Sequence, residues 1–342
     1  MTAMSTPVFH VLRGVEAERR MRDLPGGCFQ QPAWVRAVAA ARGRPHQAVL
    51  VQARSEGGPT AWLPGSLHRR AGLAVFEAMP MAGYGGWIVE GADPSFDTGA
   101  LTRQWLARSP WPLVVLTATP GARPGLPAPR PWPLLPATLA HRLRPLALLT
   151  HRLDLAGGDA DLLQRARPRM RSYLRQFDRL GFEFSVANDR AALQDCHRCY
   201  VAGSQAWRTA VGPRLPEGFF TALAGEAFAE VWRVRFQGRD IGAALFLRGE
   251  GELQYQASGT QRIDAPLSAM EALLWAAGRH HRDRGCRWLN LGASDGLESV
   301  ARFKQKFGAE PVPYLRVTYL LPRWRGCAAG PATADFAPRE PA

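Results

Sequence analysis

Between residues 230 and 321 the hydrophobic pattern changes period in a fixed order. Three short β-type runs come first, at 230–236, 241–247 and 252–258, joined by the turns Gln-Gly-Arg-Asp and Arg-Gly-Glu-Gly. A long helical stretch follows. Asp264 is its N-cap candidate and Pro266 falls in its first turn, while Leu267, Met270, Leu274 and Ala277 share one face and basic residues precede Gly285. A strand at 287–291, a helix at 297–307 and a strand at 314–321 complete the segment. An antiparallel meander followed by helix, strand, helix and strand predicts an α+β fold, not the alternating order of a doubly wound sheet. No GxGxxG or Walker sequence occurs, which argues against dinucleotide dehydrogenases and P-loop enzymes.

Upstream, residues 8–119 read as a first compact domain. It has a helix from 33, strands at 48–52, 60–67 and 73–76, a glycine-rich bend around Tyr84, a helix at 97–108 and a strand at 113–117. Seven prolines in 120–136 suit an extended connector, taken as 120–150. The second domain, 151–322, opens with helices at 159–166 and 168–180, the latter with Pro168 in its first turn and Gly181 as its stop. Two more helices are expected at 192–203 and 218–228, and 325–342 reads as a disordered tail.

Composition narrows the partners. With 46% hydrophobic and 21% charged residues, wholesale disorder and fibrous classes are out. No apolar run approaches the roughly 18–20 residues that cross a bilayer, no signal-peptide pattern opens the chain, and five cysteines without a framework suit a reducing compartment. A cytoplasmic location is expected. The formal charge of +14 favours polyanions, although an arginine-rich composition alone gives a similar surface. Lysine occurs only at Lys304 and Lys306, inside Arg302-Phe-Lys-Gln-Lys-Phe-Gly308. A chain that uses arginine for every other cation has kept a compact ammonium there, which suggests a role that a planar guanidinium cannot fill.

The ordered set of Leu253-Gln-Tyr-Gln-Ala-Ser-Gly259, the helix ending at Gly285, Trp288-Leu-Asn-Leu-Gly292 and Phe303-Lys-Gln-Lys-Phe-Gly308 resembles a known pattern. It is that of the GNAT-type domain of the Fem family, the aminoacyl-tRNA-dependent peptidyltransferases, and of the related BioF2-like acyltransferases. Phe29-Gln-Gln-Pro-Ala-Trp34, Tyr84-Gly-Gly-Trp87 and the basic stretch 167–181 resemble other parts of these proteins. The resemblance implies two GNAT-like domains, each a mostly antiparallel twisted sheet flanked by helices, with a substrate groove along their junction. It implies transfer of an acyl or aminoacyl group to an amine, with no cofactor. Aminoacyl-tRNA would be the donor, and an amine-bearing small molecule or nucleotide-linked peptidoglycan precursor the acceptor. Residues 258–266 lack the [Gln/Arg]-x-x-Gly-x-[Gly/Ala] spacing by which coenzyme A enzymes of this class hold a pyrophosphate at a helix N-terminus.

On this analogy Lys304 is the donor to the tetrahedral oxyanion and holds the tRNA 3′ end, and Phe303 offers it a stacking face. The alternative puts Phe303 and Phe307 in the core with Lys304 and Lys306 solvated. Arg165, Arg167, Arg169, Arg171 and Arg175 are phosphate contacts or a solvated helix face. Arg208 resembles a family position near the acceptor's phosphates. Tyr84 and Tyr255 either hydrogen-bond the acceptor or reacting carbonyl, or pack in the sheet. Asp295 and Glu298 are considered as a base, with N-capping an equal account of Asp295. Cys196-His-Arg-Cys199 lacks a second ligand pair and is not read as a metal site, and His280-His281 suits the end of a helix dipole. Two other functions stay open: an acyl-CoA-dependent N-acyltransferase, and a non-catalytic RNA-binding module that the loss of Lys304 would barely affect.

Overall fold

The computed structural model describes residues 7–56, 58–81, 83–91, 96–121, 126–128, 145–205, 214–294 and 297–321. The first half contains β1 (Val8–Arg13), α1 (Gly14–Asp23), α2 (Pro32–Arg42), β2 (Gln47–Arg54), β3 (Thr60–Arg70), β4 (Leu73–Glu77), β5 (Ile88–Glu90), α3 (Thr98–Arg108) and β6 (Leu113–Thr117). The second begins with β7 (Leu146–Asp154), α4 (Gly158–Arg165), α5 (Pro168–Leu174), β8 (Phe182–Ala187), α6 (Arg190–Gln205) and α7 (Glu217–Thr221). It continues through β9 (Ala229–Phe236), β10 (Arg239–Gly249), β11 (Glu252–Thr260), α8 (Ala269–Arg282), β12 (Trp288–Ala293), α9 (Glu298–Gln305) and β13 (Glu310–Leu320).

These strands form one continuous α+β sheet in the order β1-β2-β3-β4-β6-β13-β7-β12-β11-β10-β9-β8, with β5 on β3. One device occurs twice. An antiparallel meander ends in a strand that crosses through a helix to a parallel neighbour, as β4–α3–β6 and as β11–α8–β12. β13 lies between β6 and β7, antiparallel to both, and so joins the two halves through backbone hydrogen bonds.

Alternation along the strands divides the second half into two layers. Leu253, Leu289 and Leu291 turn toward α8 and α9, in a core with Leu273, Leu274 and Phe307. Leu245, Leu247 and Val231 turn to the other side, against α6, α7 and α2, with Phe29, Trp34 and Phe219. Gly259 lets α6 lie directly on β11, since a Cβ there would overlap the Cys199 carbonyl. No described helix is long and apolar enough to cross a membrane.

The structure corrects several expected elements. α8 starts at Ala269 rather than after Asp264, because Ser268 and Glu271 form a reciprocal capping box. The helix expected at 168–180 ends at Leu174, and a short 3-10 turn at Phe177–Arg179 brings Phe177 into the same core as Met170 and Leu174. Only Glu217–Thr221 is helical within 218–228 and its flank. β7 begins inside the stretch taken as connector, and β13 begins at Glu310, earlier than expected, despite Pro311 and Pro313.

Candidate active site

β11 and β12 are paired over only three positions, 252–254 against 288–290, and then diverge. A bulge in β11 opposite Leu245 and Phe246 adds to the divergence. Gly292, two residues past the last pair, has φ +75°, a left-handed conformation that suits glycine. Lys304 reaches this point from α9. Its Nζ donates to the carbonyls of Gly292 at 2.8 Å and Ala293 at 2.6 Å. The residue is buried, and charge-assisted bonds to two backbone carbonyls are what make a buried ammonium tolerable there. His151 and Ser294 lie beside it, 3.3 Å apart and both buried. Burial, then the Lys304 charge, lowers the His151 imidazole below its ordinary range.

On the opposite face of the same strands, a polar network joins the two halves. Asn290, fully buried, uses all of its amide. Its Nδ2 donates to Glu252 at 2.8 Å and to the Tyr84 hydroxyl at 3.0 Å, and its Oδ1 accepts from Thr150 at 2.6 Å and from Gly292 N at 2.9 Å. Glu252 also accepts from Tyr84 and from Arg152, and Arg152 donates on to the Pro120 carbonyl at 3.0 Å. Burial, then the Glu252 charge, raises the Tyr84 phenol well above its ordinary value, so it stays a neutral donor. Beside the network is a cavity of about 70 Å³, lined by Gly27, Cys28, Tyr84, Arg152, Glu250 and Glu252 among others. That is room for a few water molecules or one amino group. Burial and Glu252 raise the Glu250 carboxyl at the rim. In a strongly basic chain, this pocket is lined by two carboxylates and one guanidinium.

The helix face carries the other predicted residues. The Glu271 carboxylate accepts from Ser268 N at 2.8 Å and from Ser268 Oγ at 3.0 Å, and so occupies the N-terminus of α8. Lys306 Nζ is 3.5 Å from Glu271 and 5.7 Å from the centre of the Phe303 ring. Phe303 packs edge-on against Phe307, with part of its ring exposed. Exposed Arg169 lies over Tyr173, and Glu271 adds to its electrostatic surroundings. The Tyr255 hydroxyl is 2.7 Å from Ser258 Oγ, and burial pushes its phenol up to about 12.

An acetyltransferase (GNAT) domain model matches residues 164–305. Residues 164–305 form a GNAT domain. Across 88% of its length the chain has the fold of FemX, with TM-score 0.62, 12% identity and 94% of that chain covered. The C-terminal domain (DUF2156) of a candidate lysylphosphatidylglycerol synthetase from Agrobacterium fabrum shares the fold at TM-score 0.50 and 17% identity, over 88% of this chain and 91% of that one. A Bacteroides thetaiotaomicron protein of unknown function does so at 0.51 and 10%, over 86% and 92%. No curated protein matches the chain in sequence.

The splayed parallel pair thus has one predicted set on each side. Lys304, Phe303, Lys306, Tyr255 and Arg169 collect on the helix face, and Tyr84 stands on the opposite face. Arg208 and Asp295 lie outside the described residues. Of the other arginines, Arg165 pairs with Asp161 and donates to the Asp154 carbonyl, and Arg171 caps the Gln164 and Ala166 carbonyls. These two are tied to their own segment, while Arg167 and Arg175 are exposed. His281 does more than face a helix dipole: it is buried, with Nε2 2.9 Å from Glu230. Sequence reasoning missed Glu252, Asn290, Thr150 and Arg152. The available signal was a polar residue at alternate positions of an otherwise apolar strand, as in Glu252-Leu-Gln254 and Leu289-Asn-Leu291.

Proposed function

We propose that this protein is an acyltransferase that joins an aminoacyl group, carried as the ester of a tRNA, to the amine of a small acceptor. The observation that carries the reading is Glu271 at the N-terminus of α8. A coenzyme A pyrophosphate held at that helix end would meet a carboxylate already bonded to the same amide. Arg169, Lys306 and the exposed Phe303 edge instead suit a single-stranded phosphodiester end with a base to stack. The charge of +14 agrees with a polyanionic donor.

In this reading the donor ester approaches the β11–β12 splay from the helix face and the acceptor amine from the carboxylate pocket. The amine nitrogen attacks the ester carbonyl, the new C–N bond forms, and the C–O bond to the ribose breaks. Glu250, at the pocket rim, takes the proton from the amine and passes it on to the ribose oxygen, which leaves as a hydroxyl. Lys304 places positive charge at the end of the splay, where the oxyanion develops, and holds the strand end in position.

Binding of bulk tRNA and of coenzyme A, followed by anisotropy across a salt series, tests the donor. Tight tRNA binding with a steep salt slope and no coenzyme A binding is expected. Saturable coenzyme A binding with only weak tRNA association would overturn it. That result would select a second reading, acyl transfer from an acyl-CoA, which the GNAT character of residues 164–305 favours.

A further inference from the structure

The first half holds a collection of charged side chains that the transfer site does not use. Glu77, the last residue of β4, is buried, and it accepts from Arg42 at 2.7 and 3.3 Å and from Arg316 at 2.5 Å. His68 Nδ1 lies 3.9 Å from the same carboxylate. The His46 ring is 4.5 Å from the His68 ring, and its Nδ1 is 3.2 Å from Ser66 Oγ. Arg44 sits among them, its guanidinium disfavoured by burial and by the charges of Arg42 and Arg70.

Two features distinguish this group from a structural ion-pair network. First, one carboxylate stands among four guanidiniums, Arg42, Arg44, Arg70 and Arg316, and two of them already satisfy it. Arg44 and Arg70 form no ion pair among the described residues. The imidazoles add no charge near neutrality, since burial above all lowers His46 to about 3 and His68 to about 4. Second, Arg44 Nε, His46 Nε2, His68 Nδ1 and Thr117 Oγ1 are all buried without a hydrogen-bond partner among the described residues. Ser66, His68, Glu77, Thr117 and Arg316 share one face of the sheet, because Leu67, Phe76, Leu116 and Val317 take the other. Unpartnered polar atoms gathered around surplus cations are complementary to a multiply charged anion rich in acceptor oxygens. A carboxylate supplies one charge, which Glu77 already does.

The geometry points to a binding site for a small phosphate-bearing ligand, a phosphomonoester or pyrophosphate, among Arg44, Arg70, Arg316 and His46. The approach is open, because the Arg42 and Arg316 side chains are 21% and 28% exposed and Arg70 is at the surface. Arg316 stands two residues from Tyr314 on the same face of β13, and the Tyr314 ring is 6.2 Å from that of Tyr84. The site therefore shares a sheet face with the carboxylate pocket. It does not depend on which donor the transfer uses.

Calorimetric titration of inorganic pyrophosphate into the full chain, at ionic strength held constant with chloride, tests the site. Saturable binding is expected, weakened at least tenfold by Arg44→Gln with Arg70→Gln and unchanged by Arg171→Gln with Arg175→Gln. Arg70→Gln alone, at a surface position, gives the same direction if the double variant does not fold. Glycerol 3-phosphate and a nucleoside diphosphate then compete for the site; the tighter of the two names the carrier, and either result supports it. Pyrophosphate heat that does not saturate, or that is equally insensitive to both pairs of variants, overturns the site. So does a tRNA affinity that alone responds to Arg44→Gln with Arg70→Gln.

Discussion

The ammonium of Lys304 donates to the carbonyl of Gly292 at 2.8 Å, two residues beyond Asn290, whose side chain serves the opposite face of the sheet. One strand end is therefore held from both sides. Lys304 fixes its carbonyls from the helix layer, and Asn290 Oδ1 accepts its Gly292 amide from the other layer. A displacement on either face is transmitted to the point where β11 and β12 part.

Lys304→Met keeps the length of the side chain and removes its donors. Two backbone carbonyls lose a charged partner, at a cost of about 2–3 kcal/mol in urea denaturation. Transfer falls by about 100-fold or more, because the charge beside the developing oxyanion is lost. Unchanged stability would show that the ammonium does not clamp β12.

Glu252→Gln breaks the pairing with Arg152, whose side chain is only 13% exposed. The expected loss is about 3 kcal/mol, most of it from the guanidinium left behind. Adding Arg152→Met should recover part of that loss. A double-mutant cycle measures the recovery, and strict additivity would contradict the coupling.

Glu271→Ala removes one side of the capping box, costing about 1 kcal/mol of stability. It also uncovers the N-terminus of α8. Coenzyme A binding that is absent from the parent chain and measurable in Glu271→Ala would support the account of donor choice. No gain would count against it.

Stability should fall as pH drops from about 6.5 toward 4. His46 and His68 have folded values near 3 and 4, below the 6.5 of the unfolded chain, so the unfolded state takes up protons first. Above pH 6.5 the effect vanishes. Each histidine steepens the decline by at most about 1.4 kcal/mol per pH unit. Glu77, held below its ordinary range by Arg42 and Arg316 against the effect of burial, adds its own loss only below about 4.5. Denaturation midpoints at pH 7.5, 5.5 and 4.5 give the slope, and His46→Gln with His68→Gln should flatten it.

Gly259→Ala should cost more than about 4 kcal/mol, because the added methyl meets the backbone of α6 and not a side chain that can turn aside. Soluble expression and thermal unfolding decide this. A mild effect would mean that α6 can lift off β11.

The meander β9–β11, the long helix and the Phe-Lys segment were legible because each is a local pattern of ten or so residues with its own turns. β7 was not, since it emerges from a proline-rich stretch. The beginning of β13 was hidden because Pro311 and Pro313 lack the amides that a strand normally uses. Lys304 stood out by composition alone. Glu252, Asn290, Thr150 and Arg152 did not, because their meeting depends on register across β7, β12 and β11, which periodicity within one strand does not encode. The cluster around Glu77 was missed for the same reason: its arginine partners come from α2 and from β13, at opposite ends of the chain.

The place of β13 between β6 and β7 has a consequence for how the protein comes into being. On the ribosome, β6 emerges long before Glu310–Leu320, the segment that will lie beside it. Until then the nascent first half offers a bare edge, able to attract a wrong partner or a chaperone. Evolution is constrained in the same way. Exchanging one half with that of a relative would also divide the hydrogen-bond ladder holding the halves together, so the two parts must be inherited together.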